Sequence, residues 1–161
     1  MVAYLLRVPA GIAGDVTRKD QATIEAQVVD STTPPTRFGE PVKIVTGKVQ
    51  PFASGDAASV VYGFLVRPYP AHSTQDGLGT STPNTTGICN VLVRGYINTM
   101  LRNGTAALNG QVYVRNANAS GLRPIGGIEA TSDSGNCVAI TGAVFTGAAD
   151  ASGNVEIRFN I

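Results

Sequence analysis

Residues 88–98 read ICNVLVRGYIN, a run of β-branched and other apolar residues broken by single polar ones. Such residues favour extended backbone because their side chains pack well on a pleated surface. Four similar runs follow, separated by Gly, Asn, Asp and Ser: AALNGQVYVRN, RPIGGIEA, CVAITGAVFTGAA and NVEIRFNI. Five such runs, roughly 8 to 12 residues apart, predict an all-β domain. Helix candidates are few. Residues 97–102 could form a helical turn, but β-branched residues and the following Gly104 oppose helix formation.

Strand periodicity is also present upstream of this run. Ile24, Ala26 and Val28 alternate with Glu25 and Gln27, which is a period of two rather than the helical 3.6. This alternation predicts a strand.

A hairpin is predicted further along the chain. Residues 42–45 and 48–52 are both strand-like, and Thr46 and Gly47 form a two-residue connection of the kind that closes a β-hairpin. Pro51 has no backbone N–H, so the second strand is expected to be an edge strand or to end there.

Two segments rich in Pro and Gly lie outside this strand pattern. Residues 1–18 show no sustained period and predict an extended N-terminal arm. Residues 60–67 read as an apolar strand, and residues 68–87 form a long loop of a length that is usually functional or disordered. We therefore expect an arm followed by one β domain over residues 19–161, an antiparallel sandwich or a small barrel.

The chain carries unusually little charge. Charged residues make up 14% of it, against about 25% in typical domains, and 12 basic and 11 acidic side chains leave a net charge of +1. A nucleic-acid partner is not expected, because such binding needs clustered Lys and Arg. Nine basic residues are Arg and three are Lys, and interfaces are rich in Arg and poor in Lys. The surface is therefore either largely covered in an assembly or solvated by Thr, Asn and Ser.

Neither the cysteines nor the apolar runs indicate a metal, a membrane or secretion. Cys89 and Cys137 are 48 positions apart with no other Cys or His nearby, so no zinc site is predicted. Free, buried thiols are expected, with a disulfide as the alternative. The N-terminal apolar run is too short for a secretory signal, and no run approaches a membrane span. We expect synthesis in the cytoplasm and no membrane partner.

Candidate catalytic groups are few. The single histidine, His72, lies in the long loop near Ser73 and Asp76, and three loop neighbours do not make a catalytic triad, which depends on geometry. Among the carboxylates the closest pairs are Asp15 with Asp20 and Glu129 with Asp133, and we interpret them as solvated surface groups. The prediction is a protein that is not an enzyme and needs no cofactor or metal.

A family resemblance runs along nearly the whole chain. The phrases AYLLRVPAGIAGDVTR, FGEPVKIVTGKVQPF, GFLVRPYP and QVYVRN…IGGIEA…GAVFTGAADASGNVEIRF resemble structural cement (capsid decoration) proteins of short-tailed bacteriophages. The resemblance implies a β-rich jelly-roll or barrel-like virion protein on the exterior of an icosahedral head. It also implies a major capsid protein as partner, clamping of neighbouring subunits, and self-association as dimers or higher forms.

The arm and the long loop are the expected contact segments, since such segments order on a partner by adding strands or lying in grooves. The candidate contact residues are Tyr4, Leu5, Leu6, Arg7, Arg67 and Tyr69. An arm without a role is the alternative for the N-terminus. For the whole protein, a carbohydrate-binding or host-attachment module and a small hydrolase using His72 or convergent carboxylates remain alternatives.

Overall fold

The computed structural model describes residues 11–68 and 82–161, and the regular secondary structure of this part of the chain is almost entirely β-strand. Its strands, in chain order, are β1 (Thr23–Val28), β2 (Pro41–Val45), β3 (Lys48–Pro51), β4 (Gly63–Leu65), β5 (Ile88–Asn103), β6 (Gln111–Arg115), β7 (Ile128–Glu129), β8 (Cys137–Phe145) and β9 (Asn154–Phe159). The helical elements in this part are two 3-10 turns, Lys19–Gln21 and Ala58–Val60. The all-β prediction is confirmed.

Strand β5 organises the molecule because its 16 residues take part in two sheets. Its C-terminal half pairs with β9 in antiparallel fashion and with β7 in parallel fashion. The order β5-β7-β6-β8-β9 then returns to β5, so these five strands close into a barrel. A closed barrel leaves no exposed sheet edge among its own strands. The structure therefore selects the small barrel from the predicted alternatives.

The N-terminal half of β5 carries a second sheet, with β1 on one side and β4, β2 and β3 on the other. A small apolar cluster lies against this sheet and contains Phe38, Val42, Val49, Leu65 and Val91. The larger core is that of the barrel, with buried residues such as Ile97, Phe145, Ile157 and Phe159, and it extends to the second sheet at Phe64 and Leu92. Phe64 and Phe159 meet edge to face, with ring centroids 5.1 Å apart.

The predicted hairpin is confirmed. Thr46 and Gly47 have φ values of +50° and +75°, and two consecutive left-handed residues form the tight turn that matches the twist of the flanking strands. Strand β3 lies at the end of the strand order and ends at Pro51, as the missing N–H requires.

Two local predictions differ from the structure. The apolar run at residues 60–67 contributes only the short strand β4. Its first residue, Val60, belongs instead to the 3-10 turn Ala58–Val60. The helical turn at residues 97–102 is wrong, because this stretch is the second half of β5. Its backbone groups pair with β9, for example Ile97 with Ile157, and a regular ladder satisfies more of them than one helical turn would.

Strand β1 is confirmed, and the structure adds which way it faces. Ile24, Ala26 and Val28 are exposed, whereas Glu25 and Gln27 are half-buried on the opposite side.

Candidate attachment surface

The described end of the predicted N-terminal arm lies along β5. The Gly14 N–H donates to the Asn98 carbonyl at 2.8 Å, and the Asn98 N–H donates to the Asp15 carbonyl at 2.9 Å. The Thr17 N–H donates to the Tyr96 carbonyl at 3.2 Å. Backbone hydrogen bonds therefore fix where this segment leaves the β domain.

Arg67 joins this segment to the start of the long loop. Its N–H donates to the Gly14 carbonyl at 2.9 Å, and its Nε–H donates to the Ala13 carbonyl at 3.3 Å. Its guanidinium carbon lies 4.7 Å from the centre of the Phe38 ring, in cation–π contact. The hydrogen bonds of Arg67 thus join the described parts of the two predicted contact segments.

Two glycines allow this close approach. Gly14 has a φ of +93°, and a Cβ there would lie 2.6 Å from the Phe38 Cβ and 3.0 Å from the Arg67 nitrogen. Gly39 has a φ of +73°, and a Cβ there would lie 2.7 Å from the Asn98 carbonyl oxygen. Both the backbone conformation and the spacing require glycine.

A groove of about 530 Å³ opens beside the junction. Apolar side chains of Val16, Ile24, Val66 and Pro68 line it, together with Asp15, Lys19, Arg67 and Asn90. A smaller cavity of about 190 Å³ shares Val66, Pro68 and Asn90 with the groove and also touches Ile88. Half of the residues that line the groove are apolar and the charged ones are of both signs, which suits protein contact better than binding of a strongly charged ligand.

A cluster of charged side chains lies in the barrel. Glu129 is fully buried and accepts hydrogen bonds from the Arg115 Nε at 2.6 Å and the Arg123 Nη2 at 2.7 Å. Arg115 is only 2% exposed and also contacts Asp133, with 2.7 Å between Nη2 and Oδ2. The interpretation of Glu129 and Asp133 as solvated carboxylates is therefore wrong for Glu129, because the fold surrounds it with two arginines.

The four residues of this cluster, Arg115, Arg123, Glu129 and Asp133, form ion pairs with one another. Burial acts to raise the pKa of Glu129, but hydrogen bonds and charges from Arg123 and Arg115 outweigh it and leave that pKa below its ordinary value. The pKa of Asp133 is also lowered, chiefly by its hydrogen bond with Arg115. Both carboxylates are thus held ionised and paired, and neither is suited to donate a proton near neutral pH.

The structure locates only some of the other candidate residues. In residues 11–68 and 82–161, no three His, Cys, Asp or Glu side chains are grouped so that they could hold a metal ion. Cys89 and Cys137 are free and partly buried, and burial raises the pKa of the Cys89 thiol. His72, Ser73 and Asp76 lie outside the described residues.

Of the predicted contact residues, only Arg67 falls within the described part of the chain. Those outside it are Tyr4, Leu5, Leu6, Arg7 and Tyr69. Nothing in the described ranges forms a helix with the length and apolar character of a membrane span.

Comparison with known proteins identifies the family. The family model of the XM1 gp53 minor capsid protein matches residues 1–159. The chain belongs to this family. Among curated proteins no match was found. A chain of the solved structure "The capsid of Myoviridae Phage XM1" has the same fold, with a TM-score of 0.68 and 20% identity over 98% of this chain and 95% of that one.

Membership of the XM1 gp53 minor capsid family makes this chain a virion structural protein associated with a phage capsid. The resemblance to capsid proteins that the sequence phrases indicated is confirmed at this level. The groove and the arginine–carboxylate cluster are features that the sequence did not predict.

Proposed function

We propose that this protein binds the outer surface of an icosahedral phage head and cements neighbouring major capsid subunits. The observation that carries the proposal is the junction at Arg67, where the described parts of the arm and of the long loop are hydrogen-bonded to each other. A clamp needs a rigid body from which separate segments reach different neighbours. Two segments anchored side by side on one body meet that need.

The proposed contacts are those predicted from the sequence. In the arm they are Tyr4, Leu5, Leu6 and Arg7, and at the loop they are Arg67 and Tyr69. Arg67 uses its Nε–H within the protein, and a guanidinium carries further N–H donors that can serve a partner. Aromatic residues and Arg are the side chains most enriched at the centres of protein interfaces.

The charge of the chain supports attachment to a shell. Burying unpaired charge opposes association, and this chain has few charged residues, with only three Lys. Each contact can be modest, because many copies on a closed symmetric shell add their contributions. Self-association as a dimer or higher form on the shell, with synthesis in the host cytoplasm, belongs to the same proposal.

The test uses empty heads that lack the protein. Purified full-length protein is expected to co-sediment with the heads and to raise the melting temperature of the shell. A Leu5→Asp/Leu6→Asp variant should bind more weakly, whereas Leu122→Asp, at a side chain that is 82% exposed, should bind like the wild type. Wild-type protein that neither sediments with heads nor stabilises them refutes the proposal, and binding to a glycan array instead would favour host attachment.

A further inference from the structure

The two strands β1 and β5 present an apolar face that is only half covered. Cross-strand partners share a face, and the pairs on this one are Ile24 with Leu92, Ala26 with Asn90, and Val28 with Ile88. At the first pair Leu92 is fully buried in the barrel core. At the other end Ile88 is 65% exposed and Val28 is 50% exposed. The apolar side chains of this face thus run from the buried core to positions that are exposed to solvent.

Hydrogen bonds hold β1 in this orientation. On its other side the Tyr62 hydroxyl donates to the Glu25 carboxylate, and the Gln27 Nε2 lies 3.2 Å from both the Glu25 carboxylate and the Tyr62 hydroxyl. A slip of one residue in the pairing with β5 would turn the apolar side chains inward, because side chains alternate along a strand. The fold instead keeps the polar side chains in and the apolar ones out.

We infer that the β1–β5 face, formed by Ile24, Ala26, Val28, Ile88 and Asn90, is the surface that docks on a major capsid subunit. This inference rests on the proposed function and names the part of the β domain that meets the shell. The expected occupant is a cluster of aliphatic side chains from the shell subunit, with one backbone or amide group placed to hydrogen-bond the Asn90 side chain.

The size and surroundings of the face favour a shell subunit over a second copy. A stable interface buries about 800 Å² on each partner, and a face with four partly exposed aliphatic side chains, one of them only an alanine, falls well short of that if two copies meet through it alone. A shell subunit can also fill the 530 Å³ groove, which shares Ile24 and Asn90 with the face. The charges that line the groove, Asp15, Lys19 and Arg67, are mixed in sign and do not demand a strongly charged partner.

The test compares full-length variants for binding to empty heads. Ile88→Asp places a charge at the most exposed point of the face and is expected to weaken binding at least tenfold. The control Leu122→Asp makes the same change at an exposed leucine outside the face and should bind like the wild type. Thermal unfolding of each variant shows whether it folds. If Ile88→Asp fails to fold, the double variant Val28→Thr/Ile88→Thr replaces it, since Thr keeps the β-branched shape that strands favour.

Each outcome separates the inference from the proposed function. Binding of the folded Ile88 variant at wild-type strength overturns the inference and leaves the proposed function standing. If the Ile88 variant loses self-association in solution but binds heads as the wild type does, the face contacts a second copy, and the inference is overturned as well. Failure of the wild-type protein to bind heads overturns both.

Discussion

Replacing Glu129 by Gln should severely destabilise the barrel. Glu129 is fully buried, and its carboxylate faces the Arg115 Nε at 2.6 Å and the Arg123 Nη2 at 2.7 Å. Glutamine has nearly the same shape, but it removes the negative charge and replaces one of the two accepting oxygens by an NH2 group, which would face arginines that can only donate. Arg115, 2% exposed, would then keep only Asp133, which it shares with Arg123, as a charged partner.

The expected loss follows from the cost of leaving a buried charge without its partner. Removing one member of a buried ion pair costs about 3–5 kcal/mol. In a domain of this length each kcal/mol lowers the melting temperature by about 2–4 °C, so the expected decrease is on the order of 10 °C. Since natural domains are stable by about 5–15 kcal/mol, the variant loses a large share of its total stability.

The measurement is urea denaturation followed by far-ultraviolet circular dichroism, because the chain contains no Trp. Asp20→Asn is the matched control. It makes the same chemical change at an exposed carboxylate and should stay within about 0.5 kcal/mol of the wild type. If Glu129→Gln also stays within about 1 kcal/mol, the reasoning that this carboxylate neutralises buried arginines is refuted.

Three further predictions concern pH and backbone conformation. The pKa of Glu129 lies below its ordinary value of 4.5, so its contribution to stability is present above that pH and is lost as the pH falls through the lowered pKa. The stability gap between wild type and Glu129→Gln should therefore narrow between pH 7 and pH 3 in urea titrations, and a constant gap would contradict this. Gly14→Ala should cost more than Gly55→Ala in the same assay, since both positions have positive φ but only Gly14 lacks room for a Cβ. Equal losses would show that the junction is not tightly packed. Thr46→Asn should stabilise the hairpin by about 0.5 kcal/mol, measured as a rise in melting temperature, because Asn tolerates the left-handed φ of +50° better than a β-branched residue. An unchanged or lower melting temperature would count against strain at this turn.

Features set by neighbouring residues were predictable from the sequence. The Thr46-Gly47 turn, the end of β3 at Pro51 and the period of β1 all depend on local backbone preferences, and all three appear in the structure. Barrel closure also followed as one of the predicted forms, because many short strands with polar turns have few ways to remove their edges.

The arginine–carboxylate cluster was not predictable in the same way. Arg115 and Glu129 are brought together by the pairing of β6 with β7, in which Val114 lies opposite Ile128 and Tyr113 opposite Glu129. The contact therefore depends on how two strands pair in the fold, and spacing along the chain does not specify that pairing. Sequence spacing alone therefore left Glu129 among the surface carboxylates, where most acidic residues lie.

The orientation of β1 was not predictable from the sequence either, and this orientation bears on the function. A period of two identifies the residues that share a face of a strand, but the rest of the fold decides which face is covered. Here Tyr62 binds the polar side, and the pairing with β5 is irregular between Thr23 and Ile24. A rule that places apolar side chains inside would therefore choose the wrong side, and local rules fail most often at functional sites. Two observations thus need an explanation, namely the exposed apolar side chains of β1 and the low content of charged residues in the chain. Partial cover of its surface by a capsid accounts for both observations, whereas self-solvation by Thr, Asn and Ser accounts only for the low charge.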